Sequence, residues 1–293
     1  MRYTVIACLA VALLVLIPVL AQPAAPAPSR APVAMMAEKG FFEAFNGGAA
    51  DRGAPLRLLM AAWATDPNDA RTNLLLGLNH LWMAAEGDRN DPRVIENLLL
   101  SEHFLARAER LNPADRRIPS WLVPVRLSLA GLERQPEKRE ELVQGLLAAY
   151  AEDPVFHSFS VALLSFGEPR GSEGFARGLE ALRQAEGDCQ QKEEGADMSC
   201  QNTPHWPHNR EAFVTFRADY ELKAGHPEKA REILEHVRQM PSYPGWSFRS
   251  GVEDRLQNLE AYAKLYANDD PKDDPPSLMS MESRAACQSC HRG

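Results

Sequence analysis

Alternating apolar and polar residues are scarce along the 293 positions, so a sheet-bearing fold has little support. Positive charge is also in the minority: 32 Lys and Arg face 40 Asp and Glu, for a formal net charge of -8. That balance argues against a nucleic-acid partner and suits docking to a basic protein surface. No phosphate-cradling Gly loop, EF-hand loop or paired-His metalloprotease helix occurs, and no acid/base constellation is legible. Cysteine is sparse, with five in the whole chain, so position carries more information than number. What remains is a chain with 45% hydrophobic residues, enough for a substantial core of one large or two smaller domains.

Two compositional boundaries frame that core. Met1-Arg2 is followed by an apolar run from Val5 to Leu20, and Val19-Leu20-Ala21 has the small or short residues of a cleavage site. Residues 1–21 are therefore expected to be a secretory signal, too short for a membrane anchor, and Cys8 is expected to leave with it. Export places the mature chain in the periplasm or on the extracellular face, with no transmembrane segment. Residues 22–40, rich in Pro and Ala at their start, read as an extended tether. At the other end, Asn268 to Ser280 holds Asp269, Asp270, Asp273, Asp274 and three prolines. Residues 268–293 are accordingly read as a linker and terminal segment, and 41–267 as the folded domain.

That domain has helical periodicity nearly throughout, so the expected class is all-α. Leu56, Leu58, Leu59, Ala61 and Ala62 open one apolar face, and Asp66-Pro67-Asn68-Asp69-Ala70 is a turn and helix-start signal before Leu74 to Leu81. A helix is expected from Pro92 to Leu111, closed by Asn112-Pro113. Further helices are expected at 119–133, 137–151, 155–166, 172–186, 210–224, 227–239 and 250–267, with Tyr243-Pro244-Gly245-Trp246 as a turn.

The four cysteines beyond the signal fall into two pairs. Cys189 and Cys200 are separated by a stretch rich in Gln, Glu and Gly, and in an oxidising compartment they are expected to form a disulfide. Cys287-Gln288-Ser289-Cys290-His291 is a Cys-x-x-Cys-His run, the attachment motif of a c-type haem. Thiols at this spacing form thioethers to the two haem vinyl groups, and the adjacent imidazole becomes the proximal iron ligand. A thioredoxin-like dithiol and a four-cysteine zinc site are the rival readings; no βαβ pattern precedes the pair to support the first.

Two resemblances follow from these residues. Phe104 to Pro113 resembles the closing helix of a tetratricopeptide repeat, as does Gly225 to Leu234, with Asp219, Tyr220 and Ala224 on the helix before it. The resemblance extends irregularly over residues 55–267 and implies stacked antiparallel helical hairpins, a solenoid with a protein-binding surface. Ala286 to His291 resembles the late attachment motif of the cytochrome c-prime and c556 family, and on that likeness Cys287 and Cys290 are thioether donors and His291 the proximal ligand. The Pro/Asp-rich stretch just upstream departs from that family's four-helix bundle.

The distal iron position is left open. Met279 and Met281 are too close in sequence to reach the far face easily. His205 and His208, in His205-Trp206-Pro207-His208, are the candidate distal ligands, with helix capping as their plainer role. His80, His103, His157, His226 and His236 read as core, turn or rim residues, and Trp82, Trp121, Trp206 and Trp246 as core aromatics or groove and porphyrin contacts. The expected function is that of an exported monohaem cytochrome passing single electrons to a redox protein partner or within a larger complex. A scaffold subunit with a structural haem, and a haem enzyme or gas sensor with an open iron, are the alternatives. The repeat-like body would serve homo-oligomeric contacts as readily as heteromeric ones.

Overall fold

The computed structural model describes residues 30–46, 53–87, 91–191, 210–268, 270 and 272–278. The chain divides after Arg30, and every described helix belongs to the unit that starts at Ala31. Among the described residues there are twelve α-helices: α1 Pro32–Asn46, α2 Gly53–Thr65, α3 Ala70–Ala85, α4 Pro92–Leu111, α5 Pro119–Leu132, α6 Pro136–Glu152, α7 Pro154–Ser165, α8 Glu173–Gln191, α9 Arg210–Lys223, α10 Pro227–Arg238, α11 Arg249–Gln257 and α12 Leu259–Tyr266. A short 3-10 turn, Tyr243–Gly245, precedes α11. The class is all-α, and consecutive helices pair antiparallel, most extensively α3 with α4, α7 with α8 and α9 with α10. No helix among the described residues is long and apolar enough to cross a membrane.

Proline sets many of the helix starts. Pro32, Pro92, Pro119, Pro136, Pro154 and Pro227 each open a helix, where the missing N–H has no intrahelical acceptor to lose and φ is already helical. Asp69, Asp91 and Asp153 cap three starts by accepting from the N–H of Thr72 at 3.2 Å, Arg93 at 2.9 Å and Phe156 at 3.1 Å. The same rule corrects the expected tether through residue 40. Pro32 begins α1, and Ala34, Ala37, Phe41 and Phe42 bury one helical face. Phe45 meets Trp82 of α3 edge to face at 4.8 Å between centroids, so the segment is core rather than spacer.

Two further differences are local. The helix expected over 250–267 is interrupted at Asn258, which ends α11 and precedes α12 with φ -111° and ψ 21°. The helix expected to stop at 186 continues to Gln191, so Cys189 lies on α8 rather than in the loop assumed for its pairing.

The apolar core runs as three clusters in chain order, and helices are shared between them. Leu122 and Val125 of α5 belong to the first cluster, whereas Val123 and Leu127 belong to the second. Val161 of α7 and Ala181 of α8 sit in the second, whereas Ala162 and Leu182 sit in the third. One helix thus faces two neighbours with adjacent residues. Close approach depends on Gly178 of α8: a Cβ there would collide with the Tyr220 hydroxyl. That hydroxyl donates to the Ala162 carbonyl at 2.6 Å, so α7, α8 and α9 meet at one point.

An interior proline makes the seam between α5 and α7. Pro124 has no N–H to give to Ser120 O one turn back. Ser160 of α7 supplies the missing donor, its hydroxyl reaching that buried carbonyl at 3.1 Å. The Ser120 hydroxyl lies 2.6 Å from His157 Nδ1, so one residue bonds twice to the neighbouring helix. Ser160→Ala should therefore lower unfolding stability by about 1–3 kcal/mol in urea titrations, because it leaves a buried carbonyl without a donor. An unchanged midpoint would show that the carbonyl has another partner.

Candidate functional site

The residues expected to carry the cofactor, Cys287, Cys290 and His291, lie outside the described residues. So do Cys200, His205, Trp206, His208, Met279, Met281 and the expected signal at 1–21; of Cys189 only the helical backbone is described. The segment leading toward Cys287, residues 272–278, is described, and it lies in contact with the core.

This strap begins with local turns characteristic of its composition. Asn268 donates to Asp273 Oδ2 at 2.6 Å, and Asp270 accepts from the Lys272 N–H at 3.1 Å. Beyond them the strap meets two buried charges on α9. Lys223, 2% exposed, donates from Nζ to Asp274 Oδ2 at 2.5 Å and to the Phe166 carbonyl at 2.7 Å. Its ammonium also lies over the rings of Phe166 and Phe175 at 5.1 and 5.3 Å. Burial raises the Asp274 carboxyl above its ordinary value, with Asp273 and Asp270 adding to the effect and Lys223 opposing it.

Asp219, one turn earlier, is the second anchor. Its carboxylate accepts from Arg255 Nε at 2.5 Å and Nη2 at 3.0 Å, a two-pronged pair between side chains only 2% and 7% exposed. The remaining capacity goes to the strap: the Ser277 hydroxyl donates at 2.8 Å and the Leu278 N–H at 3.3 Å. Arg255 also donates to the Pro276 carbonyl at 3.3 Å, and the Tyr266 hydroxyl to the Pro275 carbonyl at 3.1 Å. Burial foremost raises the Tyr266 phenol, which keeps it protonated and donating. For Arg255 burial works against the charge, and Asp219 more than offsets it. Gly251 leaves room for Leu278 on α11, since a Cβ there would stand 2.9 Å from Leu278 Cδ1.

The other charges of α9 tie it to other elements. Glu221 takes both prongs of Arg183 from α8 at 2.8 and 2.7 Å and meets His226 Nδ1 at 2.9 Å. Burial alone would raise the Glu221 carboxyl; Arg183 and His226 outweigh it and hold the carboxyl below its ordinary value. Arg217 pairs with Glu186 of α8 at 2.5 Å, and Glu211 accepts from Ser242 before the 3-10 turn.

Of the described histidines, His80, His103, His157 and His236 lie on helices and His226 in the turn before α10. His80 Nδ1 meets Asn97 Oδ1 at 2.9 Å and its ring stacks on Phe104 at 5.8 Å, while His157 is bonded to Ser120 and 1% exposed. His103 packs edge-on against Phe104, and His236 is exposed on α10. Among the described residues no group of three His, Cys, Asp or Glu side chains is arranged to hold a metal ion. Trp82 and Trp246 are 3% and 2% exposed core residues. Asp219, Lys223, Arg255 and Ser277 were not legible as site residues in the sequence. The available signal was the spread of Glu211, Arg217, Asp219, Glu221 and Lys223 around a helix also rich in aromatics, a pattern that exposes none of its faces cheaply.

Two measurements follow. Asp219→Ala should cost about 3–5 kcal/mol in urea unfolding because it strands the buried Arg255 guanidinium, and Asp219→Leu combined with Arg255→Met should recover most of that loss. Burial foremost depresses both His80 and His157, against Asn97 and Glu96 for the first and Asp153 and a backbone bond at Arg116 for the second. Below the ordinary histidine value the unfolded chain then binds more protons than the folded one, so stability is lost as pH falls. The urea midpoint should drop between about pH 7.5 and about pH 5.5, and His80→Asn with His157→Gln should flatten that slope. A midpoint that rises toward the acid end would reverse the assignment.

Comparison of the chain with protein-family models, curated proteins and solved structures finds no match.

Proposed function

We propose that this is an exported monohaem c-type cytochrome, with a tetratricopeptide-like body that holds a covalent haem at Cys287, Cys290 and His291 for single-electron transfer to a redox partner. The observation that carries the reading is the Cys287-Gln288-Ser289-Cys290-His291 run, and the docking of residues 272–278 on α9 suits it. A cofactor used for electron exchange needs a fixed place relative to the protein surface, and the strap gives the attachment motif a fixed point of departure. Bound by two thioethers and an imidazole, haem supplies a one-electron iron couple with no proton or group transfer required.

The chain's own contribution is positional. Leu278 is bonded to Asp219, and twelve residues separate Leu278 from His291, a span of at most about 45 Å. His208 precedes Arg210, the first residue of α9, and its Cα lies within about 21 Å of that of Asp219 by helix rise plus two extended residues. His291 would hold the iron on one side and His205 or His208 would supply a second imidazole, since the His205–His208 segment leads into α9 and the strap leading to His291 is hydrogen-bonded to α9. Helices shared between successive core clusters support the repeat-like reading, in which each hairpin is stabilised by its neighbours and the array presents a surface to a partner. The formal charge of -8 favours a basic partner.

The test is a pyridine haemochrome spectrum of the exported protein. It should show one covalent haem c per chain, lost in Cys287→Ala/Cys290→Ala; a spectrum without covalent haem overturns the reading. Ferric paramagnetic resonance should be low-spin and become high-spin in whichever of His205→Ala and His208→Ala removes the distal ligand. If both variants keep the wild-type signal, the intrachain ligand is wrong.

A further inference from the structure

We infer that Asp219 and Lys223 form a two-point clamp on residues 272–278, and that these are positioning residues for the cofactor segment that follows. The inference rests on the haem reading for what is positioned, but the clamp itself rests on geometry alone. Lys223 holds Asp274, Asp219 holds Ser277 and the Leu278 N–H, and between them Tyr266 and Arg255 donate to the carbonyls of Pro275 and Pro276. Five consecutive strap residues are therefore tied to the α9, α11 and α12 core. Ser277 is 1% exposed and Pro275 is buried.

The consequence is a shorter free run of chain. Measured from the end of α12 at Tyr266, twenty-one residues reach Cys287, a maximum of about 74 Å; measured from Leu278, nine residues reach it, a maximum of about 32 Å. That bound holds whatever conformation the intervening residues take. The clamp thus reduces the reach of the attachment motif by more than half, and it fixes the origin of that reach on α9. Strap composition serves this role. Pro275 is buried and has no N–H to satisfy, so only its carbonyl needs a partner and Tyr266 supplies it, while the exposed Pro276 offers its carbonyl to Arg255.

The decisive variant is Ser277→Ala/Asp274→Asn, which loosens the strap while leaving the α9–α11 ion pair intact. Lys223 then keeps the Phe166 carbonyl and two ring faces, so the core is expected to fold. In the full chain, hydrogen exchange over 270–278 should accelerate about tenfold or more, with α9 unchanged. A nitroxide at exposed Lys229→Cys on α10, read against the ferric haem by pulsed paramagnetic resonance, should give a distance distribution about twofold wider in the variant. Faster exchange with an unchanged distribution overturns the positioning role. Unchanged exchange overturns the clamp. Wild-type protein without covalent haem would overturn the proposed function instead, and exchange would still decide the clamp.

Discussion

Buried charge on α9 is the constraint from which the C-terminal half of the molecule follows. Hydrophobic burial is non-directional and tolerates many arrangements of helices, whereas a carboxylate removed from water needs donors at set distances and angles. Asp219 obtains them from Arg255 and the strap, Glu221 from Arg183 and His226, and Glu211 from Ser242. Lys223, of opposite sign, finds Asp274 and a backbone carbonyl. Each pair fixes a different neighbour, so the rotation of α9 about its axis determines where α8, α11 and the strap must lie. Aromatic packing of Phe166, Phe175, Phe216 and Tyr220 fills the space between these ties.

The middle of the molecule solves a related problem with neutral groups. Pro124 frees a carbonyl inside α5, and the structure uses the vacancy as a connection: Ser160 of α7 meets the Ser120 carbonyl and His157 of α7 its hydroxyl. A proline that would weaken an isolated helix becomes a reason for two hairpins to associate. Together with helices shared between core clusters, this makes each hairpin dependent on the next. The Ser120–His157 contact has the atoms of a catalytic dyad, yet it is sealed in the seam and serves packing.

Much of the helical framework was legible because the signals were local. Pro92 to Leu111 has its cap, first-turn proline and apolar spacing within the segment, and the start at Pro227 follows Gly225-His226 in the same way. The misses share a cause. Residues 32–40 look like spacer by composition, and only the partners of Phe41 and Phe45 reveal them as core. Asn258 carries no stronger breaking signal than many helical asparagines. The Pro/Asp-rich strap reads as linker because its charges and prolines suit water; its docking depends on Asp219 and Lys223, more than fifty residues away in sequence.

The sequence alone determined the all-α class, most helix boundaries and the chemistry expected of Cys287, Cys290 and His291, because these depend on periodicity, capping and the spacing of neighbouring residues. Tertiary structure decided which charges are buried, that residues 272–278 are held against α9, and that His80, His157 and His226 are spent on structural bonds. Those outcomes depend on groups brought together from distant positions, where desolvation makes an unpaired charge too costly to leave and so selects the partners.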